Sequence, residues 1–346
     1  MSPPIIHYPL SIIHYPLSII HCPLSLTTHY SLLTDDMLSR RQLRIKVLQA
    51  LYAFFQAEKN DLAIAEREMI RSVDKVYELY VYLLLLIKEL ADLDQNDADD
   101  LHTKFFPNKS ELAAKHRLFN LRFILEMEKD PEFIRQLNRT KMSWQKEQDL
   151  VRKIFLEIKK SDEYRQFIEN DEASERDFLA TVFKKFIEKS ESIQHHIEEE
   201  NIFWNEDFDF IMHIIGRTMK SFYDTDKFEL LPLYKDEEDD KEFARKLFNQ
   251  TILNNKEFEE AISERTKNWD VERIALMDIL ILKMALTELI TFPNIPIKVT
   301  INEFIDISKD FSTPKSKQFV NGVLDKLAID YKELGRINKT GRGLLG

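Results

Sequence analysis

Four cations crowd the head of one helical pattern. In RRQLRIKVLQALYAF, residues 40–54, the apolar side chains Leu43, Val47, Leu48, Leu51 and Phe54 recur at helical spacing, with Ser39 placed to cap the helix. Arg40 and Arg44 fall on the side of that stripe, and Arg41 and Lys46 flank it, so the face that is apolar further along is cationic in its first turns. Positive charge at a helix N-terminus opposes the macrodipole by a few tenths of a kcal/mol. Something must therefore favour it there. Either the first turn is solvated and paired with nearby acids, or it is a phosphate-binding end that projects from a helical bundle.

The other residues that could do chemistry give weaker patterns. Histidines recur in IIHYPLSIIHYPLSIIHCPLS, residues 5–25, but His7, His14, His21 and His29 would stand roughly 20 Å apart on an extended chain, too far to converge on one metal. His195 and His196 sit among acids without an HExxH or Glu-x-x-His pair and read as a solvated helix face. GRGLLG, residues 341–346, fits GxGxxG literally but has no strand before it and no helix after it. KDEEDD, residues 235–240, reads as a solvated loop. Neither a phosphate-binding GxxxxGK[ST] loop nor a nucleophile elbow occurs, so no catalytic residue, metal or cofactor is expected.

Composition fixes the kind of scaffold. Of 11 prolines five precede residue 24, and of six glycines four follow residue 334; between 37 and 292 only Gly216, Pro107, Pro131 and Pro232 interrupt the chain. Strands joined by tight turns need more of both, so an all-α fold is expected. The 44% hydrophobic content is that of a globular chain. The lone Cys22 excludes a disulfide framework and suits a reducing cytoplasm. The longest apolar run, LYVYLLLLI at 79–87, is too short to span a bilayer and reads as a buried helix. A net charge of -11 argues against wholesale coating of nucleic acid while leaving room for a local basic site.

Several elements follow from periodicity. A second long helix is expected over 61–90, then an acidic loop, DLDQNDADD, and amphipathic helices at 110–129, 145–160 and 172–190. Residues 270–292 read as a helix buried on most sides, whose Asp278 and Lys283 need partners. After Pro293-Asn294-Ile295-Pro296 a new helix begins, with Thr300 and Glu303 in capping-box register, and a turn at Thr313-Pro314 leads into the last long helix. Residues 1–36 carry no basic n-region and are broken by proline, so they are expected as a disordered leader ahead of a working start at Met37.

FPNIPIKVTINEFIDISKDFSTPKSKQFVNGVLDKL resembles the C-terminal signature of the NusB family of transcription antitermination factors, and RRQLRIKVLQALYAF resembles that family's arginine-rich first helix. With RIALMDILILKMALTELI the resemblance covers 39–90 and 271–334, in family order. It implies an all-α fold of two packed helical subdomains and a non-enzymatic adaptor. Such an adaptor pairs with the ribosomal protein NusE, binds the boxA element of nascent RNA and joins the elongation complex to oppose premature termination, notably on ribosomal RNA operons. By position it implies that Arg40, Arg41 and Arg44, with Lys46 in the same helix, face RNA. Lys315, Lys317, Phe319 and Asn321 form a second RNA-facing group, through phosphate neutralisation, base stacking and bracing of the turn. Tyr52 and Asp278 match positions that face NusE.

The chain departs from that family by a long insertion between the matched halves, and by Lys315, where an acid is common. The expected organisation is a leader at 1–36, an N-terminal helical region at 37–200 that includes the inserted helices, a C-terminal NusB-like subdomain at 201–334 and a flexible tail at 335–346. Two alternatives differ in class: a helical protein-binding scaffold without RNA binding, and an accessory part of an RNA-modifying enzyme. The second lacks a methyl-donor-binding α/β domain in this chain.

Overall fold

The computed structural model describes residues 37–103, 116–267 and 275–344; the heptapeptide repeat and the rest of the expected leader lie outside them. Among the described residues the secondary structure is helical, without strands. The helices are α1 (Arg40–Gln56), α2 (Leu62–Thr103), α3 (Arg122–Met127), α4 (Pro131–Thr140), α5 (Gln148–Lys160), α6 (Asp162–Glu169) and α7 (Glu175–Thr181), which runs on into a π-helical stretch at Val182–Ile187. They continue with α8 (Glu191–Glu200), α9 (Phe208–Thr225), α10 (Glu237–Leu253), α11 (Asn255–Thr266), α12 (Leu276–Thr291), α13 (Ile297–Phe311) and α14 (Ser316–Glu333). The chain divides into two compact units. Among described residues, one takes 37–46 and 61–244, the other 47–60 and 245–344.

In the unit that holds 61–244, α2 is the central helix and packs against α3, α4, α5 and α9. The run at 79–87 is buried at every residue, which is why it lacks the polar face of an ordinary surface helix. Burying each such leucine contributes about 1.5–3 kcal/mol. Side-chain caps start the shorter helices: Ser161, Ser174 and Ser190 accept from the amides of Tyr164, Asp177 and Ile193, and Asp130 accepts from Phe133 at 2.7 Å ahead of Pro131. Trp144 and Trp204 both stack on Tyr82, with ring centroids 4.3 and 5.2 Å away, and fill the space beside α2.

The acidic stretch expected as a loop after residue 90 is instead the end of α2. Asp94, fully buried, accepts from the Leu118 amide and pairs with His116 Nδ1, each at 2.9 Å, and accepts from the Tyr164 hydroxyl at 3.2 Å. Lys159 neutralises Asp97 at 2.8 Å. These partners offset the unfavourable placement of acids near a helix C-terminus. His196 likewise departs from the expected solvated face: it is buried, its Nε2 2.9 Å from the Tyr82 hydroxyl, while His195 is exposed.

In the other unit α12, α13 and α14 pack on one another, and α11 packs on α12 and α14. Lys283 of α12 reaches Asn255 at 2.7 Å and Glu259 at 3.2 Å, so its ammonium leaves the apolar core without losing its partners. The capping box expected at Thr300 is absent. Pro296 holds the extended cap position and α13 starts at Ile297, which places Thr300 inside the helix; its hydroxyl donates to Glu288 at 2.8 Å, both residues being fully buried. A buried carboxylate needed that donor more than the helix needed a side-chain cap. The stretch read as a tail is described to residue 344 and is held to the turn after α12. Lys339 Nζ donates to the Phe292 carbonyl at 2.9 Å, and the Thr340 amide to that of Pro293 at 3.0 Å.

Candidate nucleic-acid interface

The head of α1 is fixed by its approach. The amides of Met37 and Leu38 donate to the carbonyls of Pro232 at 2.8 Å and Leu233 at 3.0 Å, and both side chains are buried. The basic first turn is thereby laid beside the segment that enters α10. Arg40 Nη2 donates to Asp239 Oδ2, Arg40 Nε lies 3.4 Å from Asp240 Oδ1, and the guanidinium covers the Phe243 ring at 4.2 Å. Arg44 approaches the same ring at 5.6 Å and is only 3% exposed. Lys46 is equally buried and donates to Asp207 Oδ2 at 2.5 Å. Burial raises the Asp207 carboxyl above its ordinary pKa, and the Lys46 charge and hydrogen bond pull the other way.

The cations of this helix thus fall into two kinds. Arg40 and Arg41 keep part of their surface in water, whereas Arg44 and Lys46 have almost none, so RNA could touch those two only after local rearrangement. The acids that meet Arg40 and Lys46 were not legible as partners in the sequence, because all of them lie at least 161 residues away. KDEEDD is not a loop throughout. Glu237 to Asp240 form the first turn of α10, and Asp240 is buried, accepting from the amides of Lys235 at 3.1 Å and Asp236 at 3.3 Å. The one usable signal was charge complementarity between that run and the arginines.

The second expected group stands at the start of α14, in the other unit. Lys315 occupies the N-cap position; Lys317 and Asn321, one turn apart on the same face, are exposed with it. Phe319 points inward and is 5% exposed, packed as a core side chain in this fold. Asp278 of α12 braces the same helix start: Ser316 Oγ donates to its Oδ2 at 2.8 Å, and Ser316 in turn holds the Thr313 amide at 3.1 Å. Burial raises the Asp278 carboxyl, while hydrogen bonds from Ser312 and Ser316 lower it. Its Oδ1 is buried without a hydrogen-bond partner among the described residues. Tyr52, on α1, is half-buried.

No helix among the described residues is long and apolar enough to cross a membrane, and no three or more His, Cys, Asp or Glu side chains there are grouped to hold a metal ion. The class is therefore a helical protein with a basic helix head and a lysine-bearing helix start. Residues 207–328 match the model of the NusB family, and this C-terminal part of the chain is a NusB-family domain to which the N-terminal part is extra. The chain is 46% identical over 106 residues to the transcription antitermination protein NusB of Salinibacter ruber, covering 31% of this chain and 66% of that protein. It is 38% identical over 105 residues to the protein of the same name from Chloroherpeton thalassium, covering 30% and 50%, and 42% identical over 86 residues to that of Geotalea uraniireducens, covering 25% and 59%. The chain thus spans about half to two thirds of the length of these relatives. No solved structure matches it.

Proposed function

We propose that this chain is an RNA-binding transcription antitermination adaptor that pairs with NusE, binds boxA-type nascent RNA and suppresses premature termination, notably in ribosomal RNA transcription. The observation that carries this is the NusB-family domain at 207–328, whose relatives are named for transcription antitermination. The geometry supports it at α14, where Lys315 and Lys317 leave their ammonium groups to solvent beside Asn321, suited to phosphate contact and to reading a base edge. Arg40 and Arg41 supply the corresponding contacts at α1. Arg44, Lys46 and Phe319, being buried, act first by holding the two helix heads in place. Tyr52 and Asp278 belong to the proposed NusE side, and Asp278 also fixes the start of α14 through Ser316. The adaptor catalyses no reaction and needs no cofactor; its setting is the cytoplasmic elongation complex.

The test is binding of a boxA-like single-stranded RNA, with and without NusE, over a salt series. Each lost phosphate contact should flatten the slope of log K against log salt by about 0.7. Lys315→Ala with Lys317→Ala should weaken binding and flatten the slope by roughly twice that. Salt-independent binding, or none in the presence of NusE, would remove the RNA function. Tyr52→Ala should weaken NusE association without changing helix content.

A further inference from the structure

We propose that the acidic first turn of α10 is an intramolecular competitor for the basic first turn of α1, so that Arg40 engages an RNA phosphate only by displacing Asp239. The proposal rests on the RNA-binding function above and adds to it a mask built into the fold. The two helix starts are laid side by side by the Met37 and Leu38 amides bonded to Pro232 and Leu233, so their meeting does not depend on the ion pair itself. The acids are pre-positioned. The Asp239 amide donates to Asp236 Oδ1 at 3.1 Å, and Asp240 is locked by the amides of Lys235 and Asp236. Phe243 supplies a flat surface on which the guanidinium lies.

The contact is built to yield. Arg40 is 33% and Asp239 72% exposed at the side chain, and ion pairs at such exposure are weak and screened by salt. Arg40 Nη1 is buried without a hydrogen-bond partner among the described residues, so the five-donor fork is not fully used by the two carboxylates. A phosphate offers its oxygens to the same fork in bidentate geometry, and a polyanion offers several phosphates at once. The inner pair, Lys46 with Asp207, is buried and stays closed, keeping α1 in place while the outer pair opens. Asp207, Asp239 and Asp240 all lie within the span matched to the NusB family, so the mask comes from the family domain.

The experiment uses the full chain and a boxA-like single-stranded RNA, followed by fluorescence anisotropy over a salt series. Asp239→Asn removes the displaceable carboxylate with little change of shape. It should tighten binding by about three- to fivefold at low salt and steepen the salt slope by about 0.7, because Arg40 then neutralises an RNA phosphate and releases its condensed cation without a freed Asp239 carboxylate to take one up. Glu238→Gln removes the same charge one residue away and should change affinity by less than about twofold. In an Arg40→Ala background, Asp239→Asn should give no gain. Phenylglyoxal labelling of Arg40, read by peptide mass, should accelerate in Asp239→Asn without any RNA present. Asp239→Ser, with helix content checked by circular dichroism, repeats the comparison should the asparagine disturb the turn. If the unsubstituted protein binds RNA in a salt-dependent way and both Asp239 variants bind and label as it does, the mask is overturned and the RNA function stands. If neither the unsubstituted protein nor the variants bind RNA, both fall.

Discussion

Replacing Lys46 with methionine keeps the length of the side chain and removes its charge, leaving Asp207 alone in a buried site. Removing one partner of a buried ion pair costs about 3–5 kcal/mol, because the remaining charge loses its compensation. The carboxyl has one escape, protonation, which sets a ceiling on that cost. For a group of ordinary pKa 3.8, taking up a proton at pH 7 costs about 1.4 kcal/mol for each of roughly three pH units, about 4 kcal/mol in all. At pH 5 the ceiling falls to about 1.6 kcal/mol. The sign follows from linkage. The folded-state pKa of Asp207 is raised, so between its unfolded and folded values the folded chain binds the extra proton, and this group's contribution to stability is lost as pH rises through the folded value. Lys46→Met raises that value further and makes the loss larger at pH 7. The assay is thermal unfolding of the variant against the unsubstituted chain at pH 7 and pH 5. At about 2 °C per kcal/mol for a chain of this size, the deficit in Tm should be roughly 6–8 °C at pH 7 and half that or less at pH 5. A deficit of the same size at both pH values, or none at pH 7, would refute the assignment of a buried, charge-dependent pair.

Asp94→Ala should destabilise the chain by about 3 kcal/mol or more in denaturant unfolding, since it strands the Leu118 amide, His116 Nδ1 and the Tyr164 hydroxyl together; an effect below about 1 kcal/mol would mean that the cluster is replaceable by water. Gly343→Ala would place a Cβ 1.9 Å from the Pro293 carbonyl oxygen, a backbone collision that no rotamer relieves, so the segment after Gly335 should become a preferred trypsin site while the Tm changes by only about 2 °C. Desolvation holds Lys339 down at about 8, below its ordinary value, so docking of this segment should strengthen as pH rises from 8 toward 10.5, where the folded form has already shed the proton; amide chemical shifts of Thr340 and Gly343 across that range report it, and shifts independent of pH would refute it.

The scarcity of glycine and proline between 37 and 292 was enough to read the chain as helical, and the caps at Ser161, Ser174 and Ser190 are local in origin. Where the sequence reading failed, a distant residue had intervened. The end of α2 looked like a loop because five acids in DLDQNDADD promise solvent, yet Asp94 turns inward to donors from residues 116, 118 and 164. Thr300 looked like a cap until Glu288 claimed its hydroxyl. The expected site shows the same division. Lys317 and Asn321 share an exposed face that helical spacing alone could place, with Lys315 exposed at the N-cap before it, whereas the burial of Phe319 depends on the helices packed against α14.

For the basic helix the limit is sharpest. Periodicity set Arg40, Arg41, Arg44 and Lys46 on the first turns of α1, and the quoted strings tied the C-terminal part of the chain to its family. The first follows from spacing within a few turns of chain, where backbone geometry is fixed, and the second rests on a resemblance of residues. Which of those cations reach water was decided by Asp207, Asp239, Asp240 and Phe243, all more than 150 residues away. An ion pair depends on distance in space and on the dielectric around it, and neither exists until α1 is laid beside the segments that enter α9 and α10.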